Sequence, residues 1–297
     1  MLGGTLKQIS VGDGKVMGVN RHDEIYYRTG IDQSNPEGTG WKRIDGYLKY
    51  ITVGDGKIMG VNRDDQIWYR TGIDQSNPEG TGWKRIDGYL KHITIGDGKI
   101  LGVNGHNHIY YRVGISDANP EGTSWKRIAG YLKQISLGDG KIVGVNRHNK
   151  IYIRTGVDDQ HPEGMDWKQL EGELKYVAVG DGKIMGVNSY DQIYFRTGID
   201  VAHPAGTGWR LIDGRLKQLS VRDGRIMGVN SHNHIYFRHG INVLSPSGTT
   251  WQQIGDDLKY IACGDGKVMG VNNRDQIWFT QSIHTLPKKG SYLRIAL

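Results

Sequence analysis

Three features of the 297-residue chain predict an all-β fold, a single seven-bladed β-propeller of 42-residue, four-stranded blades. Gly-Val-Asn returns with its valine at Val19, Val61, Val103, Val145, Val187, Val229 and Val271, always 42 residues on. An Asp-Gly pair stands in every unit, at Asp13, Asp55, Asp97, Asp139, Asp181, Asp223 and Asp265. Between these marks the apolar residues alternate in short runs, and no segment shows them at three-and-four spacing without an interrupting glycine, so helix has no support.

The units start near residues 6, 48, 90, 132, 174, 216 and 258, and the whole of 1–297 is expected to be one domain. Residues 11–52 differ from 53–94 only at Val16/Ile58, His22/Asp64, Glu24/Gln66, Tyr26/Trp68 and Tyr50/His92. The 45 glycines and 7 prolines follow the period, which makes them turn markers and not a low-complexity tract.

In the first unit, Leu6 to Gly12 reads as a strand, and Asp13-Gly14 as a hairpin turn that needs positive φ. Lys15 to Asn20 is the second strand, in which Gly18 marks a close approach or a bulge. A polar turn leads to the third strand, Glu24 to Thr29, with Ile25 and Tyr27 on one face and Tyr26 and Arg28 on the other. A long loop, Gly30 to Gly40, precedes a short fourth strand, Trp41 to Ile44, and Asp45-Gly46-Tyr47 turns the chain into the next unit. Residues 1–5 match Arg43 to Tyr47, and Ser291 to Ile295 match the Trp41–Ile44 strand. Seven complete blades are therefore expected, with direct packing of the first on the last.

The formal charge is +7 with a pI near 9.2, and a lysine recurs at Lys7, Lys49, Lys91, Lys133, Lys175, Lys217 and Lys259. Such a diffuse positive field attracts anionic partners. Cys263 is the only cysteine, in the place of Val11 and Val53, and is expected to pack as a small hydrophobe. Met1 to Ser10 has no apolar signal core and no run of 18 apolar residues occurs, so neither a secretion signal nor membrane insertion is expected.

The segment Trp-Lys-Arg-Ile-Asp-Gly-Tyr-Leu-Lys-Tyr-Ile-Thr-Val-Gly at 41–54, followed by Gly-Val-Asn at 60–62 and Ile-Trp-Tyr-Arg at 67–70, resembles the tectonin repeat. That repeat occurs in fish egg lectins, the horseshoe-crab lipopolysaccharide-binding lectin, and fungal and slime-mould tectonins. The resemblance covers essentially the whole chain. It implies a lectin of innate defence or cell-surface recognition, with bacterial lipopolysaccharide, N-acetylglucosamine or O-methylated sugars as partners. Tectonin lectins usually have six repeats and many animal members have disulfides; seven repeats and one cysteine depart from both patterns.

A residue present in every blade suits a multivalent binder better than an enzyme, so no catalytic site, metal or cofactor is expected. The first-choice binding set pairs an arginine at the end of each third strand with a tryptophan opening each fourth: Arg28 and Trp41, Arg70 and Trp83, Arg112 and Trp125, Arg154 and Trp167, Arg196 and Trp209, Arg238 and Trp251. Stacking by the indole and a fork of guanidinium donors would suit a sugar between blades, with a structural pair to a neighbouring aspartate as the competing role for the arginine. The last blade reads Thr280 and Tyr292 at these positions, so six competent sites are expected.

The second-choice set, on the opposite rim, is Asn20, His22, Asp23 and Tyr47. His22, His106, His148 and His232 share a position that changes to Asp64, Tyr190 and Arg274 elsewhere, which reads as a tuning position. His106 with His108, and His232 with His234, have no third metal ligand in sequence reach. Gly12-Asp13-Gly14-Lys15 lacks the spacing and the hydroxyl residue of a phosphate loop. Two other functions compete with the lectin. One is a protein-interaction scaffold. The other is electrostatic binding of lipid A or nucleic acid, of which nucleic acid is not expected to be the partner.

Overall fold

The computed structural model describes residues 5–255, 257–280 and 293–294. They form seven four-stranded antiparallel sheets in sequence order, the blades of a β-propeller, and no helix occurs among the described residues. The first blade sets the pattern with β1 (Gln8–Gly12), β2 (Lys15–Val19), β3 (Glu24–Thr29) and β4 (Gly40–Tyr47).

The Asp13-Gly14 turn joins β1 to β2 with both residues at positive φ, 52° and 71°, as a two-residue hairpin requires. A side chain at Gly18 in β2 would place its Cβ 2.5 Å from Leu6 Cδ1 and 2.8 Å from the Gln8 carbonyl oxygen. Close approach is therefore the reason for that glycine, and the β1–β2 register runs through it without a bulge.

The fourth strand corrects the sequence reading. It continues past Ile44 to Tyr47, because the ladder with β3 jumps from the Ile25–Ile44 pair to the Glu24–Tyr47 pair. Asp45-Gly46 is a bulge inside the strand, with Gly46 at φ 90°, and not a turn between units. The seventh blade has strands Tyr260–Gly264, Lys267–Val271, Ile277–Thr280 and Leu293–Arg294. Arg294 faces Trp278 as Arg43 faces Tyr26, which is the register expected from the repeat. Residues 1–4, Ser291, Tyr292 and Ile295, on which the end-matching also rested, lie outside the described residues.

The contacts divide the chain into two compact units. The first, Met1–Gly105 with Tyr110–Arg127 and Leu258–Leu297, holds blades seven, one and two and most of three. Its apolar cores lie between consecutive blades: Met17, Val19, Ile25 and Tyr27 of the first blade pack on Ile51, Val53 and Ile58 of the second. Blades seven and one pack directly in the same way, through Met269, Val271, Ile9 and Val11. Leu6 N–H donates to Asp275 O at 2.8 Å and Gly14 N–H to Asp265 Oδ2 at 2.7 Å. The second unit, His106–Ile109 with Ile128–Asp257, holds blades four to six and the remainder of three, with cores of the same composition.

Cys263 is buried on its strand as expected. The Asp-Gly aspartates do more than turn the chain: Asp13 accepts from Gly56 N–H of the next blade at 2.6 Å, and Asp181 from Gly224 N–H at 2.7 Å. One carboxylate per turn thus satisfies a backbone donor of its neighbour.

Candidate functional site between blades

The arginine–tryptophan pairs meet as the strand register dictates. Arg28 faces Trp41 and Arg70 faces Trp83 across β3–β4-type pairs, each guanidinium lying over the indole at 5.4 and 5.1 Å. In the other four blades the separation is 5.1–5.2 Å.

At Arg70, Arg112, Arg196 and Arg238 the arginine donors are spent on protein. Arg70 Nε donates to Glu79 O at 2.8 Å and Nη2 to Gly80 O at 3.0 Å, which pins the long loop. Its Nη1 donates at 2.8 Å to Asp45 of the preceding blade, and Trp83 Nε1 donates to the carbonyl of the same Asp45 at 2.8 Å. Asp45 therefore holds both members of the next blade's pair. Arg112 and Trp125 grip Asp87 at 2.9 Å each, and Arg238 and Trp251 grip Asp213 at 2.5 and 2.8 Å. Arg196 pairs with Glu171, while Trp209 Nε1 is buried without a partner among the described residues. Arg28 lacks an acceptor for Nη1 among the described residues. Arg28, Arg70, Arg112, Arg196 and Arg238 are only 3–4% exposed. Of the seventh blade's equivalents, Tyr292 lies outside the described residues, as does the side chain of Thr280.

The second set divides in two. Asn20 is buried, and its Oδ1 accepts from the His22 and Glu24 N–H groups at 2.9 Å, so it shapes the turn. Asp23 is 3% exposed, at φ 68°, and takes Lys7 and Arg63 as ion-pair partners. Burial raises its pKa, but the hydrogen bonds and charges of Lys7 and Arg63 outweigh this and hold it below the usual carboxylate range. His22 is exposed, and Tyr47 is 60% exposed with Arg43 over its ring.

What the strands bring together is a mixture of the two sets. In the second unit a groove of about 210 Å³ opens between Gly130, Tyr131 and Leu132 on one side and Asn146, Tyr152 and Trp167 on the other. Its repeat, about 430 Å³, has Gly214, Arg215 and Leu216 facing Asn230, Tyr236 and Trp251. Trp167 and Trp251 belong to the first set; Tyr131 corresponds to Tyr47, and Asn146 and Asn230 to Asn20. The bulge makes this possible, because extending the fourth strand carries the Tyr47 position to the mouth of the interblade groove.

Sequence reasoning left out the aromatic at Tyr26, Trp68, Tyr110, Tyr152, Tyr194, Tyr236 and Trp278, which supplies a second wall in both grooves. Its signal was available: an aromatic at one position of every unit, on the face shared with the arginine. A rim cavity of about 400 Å³ adjoins the first groove through Tyr131 and Asn146 and adds His106, Asn107, Arg147 and His148. It gathers the equivalents of Asn20, His22, Asp23 and Tyr47 in one place.

The paired histidines stand with ring centroids 6.0 Å apart for His106 and His108 and 5.9 Å for His232 and His234. Among the described residues no three His, Cys, Asp or Glu side chains are grouped to hold a metal ion.

A four-stranded blade repeated seven times, with aromatic-lined grooves at two of the blade interfaces, defines a repeat-built β-propeller. The Tectonin domain matches residues 1–132 and 132–295, and the chain belongs to that family. No curated protein matches the sequence. Among solved structures it is similar to human WBSCR16, at TM-score 0.63 and 9% identity over 89% of this chain and 85% of that one. It is also similar to PorZ of Porphyromonas gingivalis, described as an essential surface component of the type-IX secretion system, at TM-score 0.65 and 12% identity over 99% of this chain; this chain spans 38% of that protein's length. YCF48 from Cyanidioschyzon merolae matches at TM-score 0.62 and 11% identity, over 90% and 92% of the two chains. At such identities these likenesses show the fold alone.

Proposed function

We propose that this chain is a multivalent carbohydrate-binding protein, a lectin with one weak site per tryptophan-bearing blade interface, six in all. The observation that carries this reading is the groove in which Tyr131, Tyr152, Trp167 and Asn146 converge, because it recurs with Arg215, Tyr236, Trp251 and Asn230 at the equivalent place. A pair of aromatic rings with an amide beside them suits a sugar ring, whose apolar face stacks while its hydroxyls seek donors and acceptors. Where the preceding blade supplies a carboxylate, at Arg70, Arg112, Arg196 and Arg238, the arginine acts indirectly, by locking the tryptophan and the long loop, and the carboxylate clasp joins the two blades.

Membership of the tectonin family supports saccharides such as N-acetylglucosamine or O-methylated sugars, and bacterial lipopolysaccharide, as the ligands to try first. The Tyr47 position varies, as Tyr47, Tyr89, Tyr131, Glu173 and Arg215, which supports related grooves with different preferences. A glycan array that includes lipopolysaccharides, read at physiological and at high salt, tests this. Selective, salt-resistant binding to defined saccharides is expected. Binding confined to anionic glycolipids and erased by salt would assign recognition to the +7 surface instead, and no binding at all would leave a protein scaffold.

A further inference from the structure

The repeat provides its own control for one substitution. At four blade interfaces the arginine Nη1 is met by a carboxylate from the preceding blade: Asp45 for Arg70, Asp87 for Arg112, Glu171 for Arg196 and Asp213 for Arg238. At the interface of Arg154 the same position is Ala129, and both residues lie in the second unit. The other bonds are kept: Arg154 Nε donates to Glu163 O at 2.9 Å, Nη2 to Gly164 O at 3.1 Å, and Trp167 Nε1 to Ala129 O at 2.7 Å. The guanidinium remains over Trp167 at 5.2 Å. It is thus held in the orientation of its counterparts, with no protein acceptor for Nη1 among the described residues.

Arg154 is also partly exposed where its five counterparts are buried. Burial still lowers its pKa, and the carboxylates of Asp166 and Glu163 act in the opposite sense. Neither takes the Nη1 bond. Asp166 Oδ1 is engaged by the Trp167 N–H at 2.7 Å.

The geometry points to a carboxylate-recognition site at Arg154, opened by Ala129, that takes the acid group of a uronic-acid-type sugar whose ring lies in the adjoining groove. The missing group is a carboxylate on a short stem, so a ligand carboxylate restores what the other four interfaces hold internally. Such a charge-assisted bond to a pre-oriented guanidinium is a strong kind of hydrogen bond. Gly130, which follows Ala129, and Trp167, the ring beneath Arg154, both line that groove. The proposal rests on the lectin reading for the sugar ring, and it assigns acidic-sugar selectivity to one groove of the set.

Titration of the full chain with glucuronate, glucose, acetate and N-acetylglucosamine, followed by the Trp167 indole and Arg154 Nε–H resonances, tests it. Glucuronate is expected to move both signals at concentrations at least tenfold below those at which glucose or acetate does so. Ala129→Asp, which installs the residue of three other interfaces, is expected to abolish the Arg154 response while N-acetylglucosamine still perturbs the other indoles. Asp87→Ala is expected to give Arg112 a glucuronate response it lacks in the parent. Equal responses to glucuronate and glucose, or an undiminished response in Ala129→Asp, would overturn the proposal, and acetate equal to glucuronate would reduce the site to a simple anion contact and overturn its sugar part. Neutral-sugar shifts without a glucuronate preference would refute this site and leave the lectin standing, whereas no shift with any sugar would refute the lectin reading itself.

Discussion

Arg70 and Asp45 meet across two blades with guanidinium Nη1 2.8 Å from the carboxylate, while the Asp45 carbonyl accepts the Trp83 indole N–H at the same distance. One residue of the bulged fourth strand thereby fixes the next blade's arginine, tryptophan and loop. Arg70 is buried and the Asp45 side chain is 69% exposed, so the pair is an anchored cation with a surface acceptor. Asp45→Ala is expected to lower stability by about 1–2 kcal/mol, the order of one lost charge-assisted bond. Ala129→Asp is expected to raise stability by making the bond Arg154 lacks. Denaturant unfolding of the two variants checks both signs.

The close approach at Gly18 gives a sharper test of packing. A methyl group there would stand 2.5 Å from Leu6 Cδ1 and 2.8 Å from a backbone oxygen that cannot retreat without breaking the β1–β2 ladder. Gly18→Ala is expected to cost about 1–3 kcal/mol, as overpacking does, despite the better strand propensity of alanine. Unfolding midpoints for this variant and for Gly60→Ala, where Leu48 and the Tyr50 carbonyl stand in the same way, should fall together.

Acid sensitivity should trace in part to His92. Desolvation, and then the charge of Lys91, push its pKa down from 6.5 to about 4, and its ring lies 4.8 Å from that of Tyr50. The folded pKa is depressed, so the unfolded chain binds the proton first. The contribution of a neutral His92 is present above pH 6.5 and is lost as pH falls toward 4. His92→Tyr, which restores the residue of Tyr50, is expected to flatten stability against pH between 6.5 and 4. A parent and a variant with the same slope would remove His92 from the explanation.

Ligand binding and stability should separate at Tyr131. It is 59% exposed yet lines the groove, so Tyr131→Ala is expected to weaken saccharide binding there by about tenfold, or about 1.4 kcal/mol, with an unchanged melting temperature. Trp167→Ala should reduce both, since it also removes the bond to Ala129 O and the plane beneath Arg154. Calorimetry and thermal melts on the same samples distinguish the two.

Much of the blade was legible in the residues, because β-structure writes itself in period two. The third strand occupies Glu24–Thr29 as its alternation predicts, and Asp13-Gly14 adopts the positive φ values its hairpin demands. From sequence alone the fourth strand ends at Ile44, because Asp45-Gly46 carries the same turn chemistry whether the chain reverses or bulges; only the partner strand decides, by pairing Glu24 with Tyr47. The site was half legible for a related reason. A buried arginine announces that it needs partners, but that Arg70 finds Asp45, 25 residues earlier and in another blade, depends on how blades stack. The Tyr26 position went unassigned because an aromatic in every repeat reads equally as core, and in the structure it is both packing surface and groove wall.

The proposed lectin acts through several weak, related grooves together on a saccharide surface. Affinity for one monosaccharide such as N-acetylglucosamine, measured free in solution and again displayed at high density, at low and high salt, tests it most directly. Multivalent binding predicts weak affinity for the free sugar, at least about a hundredfold tighter binding to the dense surface, and little change with salt. Equal affinity for free and displayed sugar, or surface binding that salt removes, would contradict it.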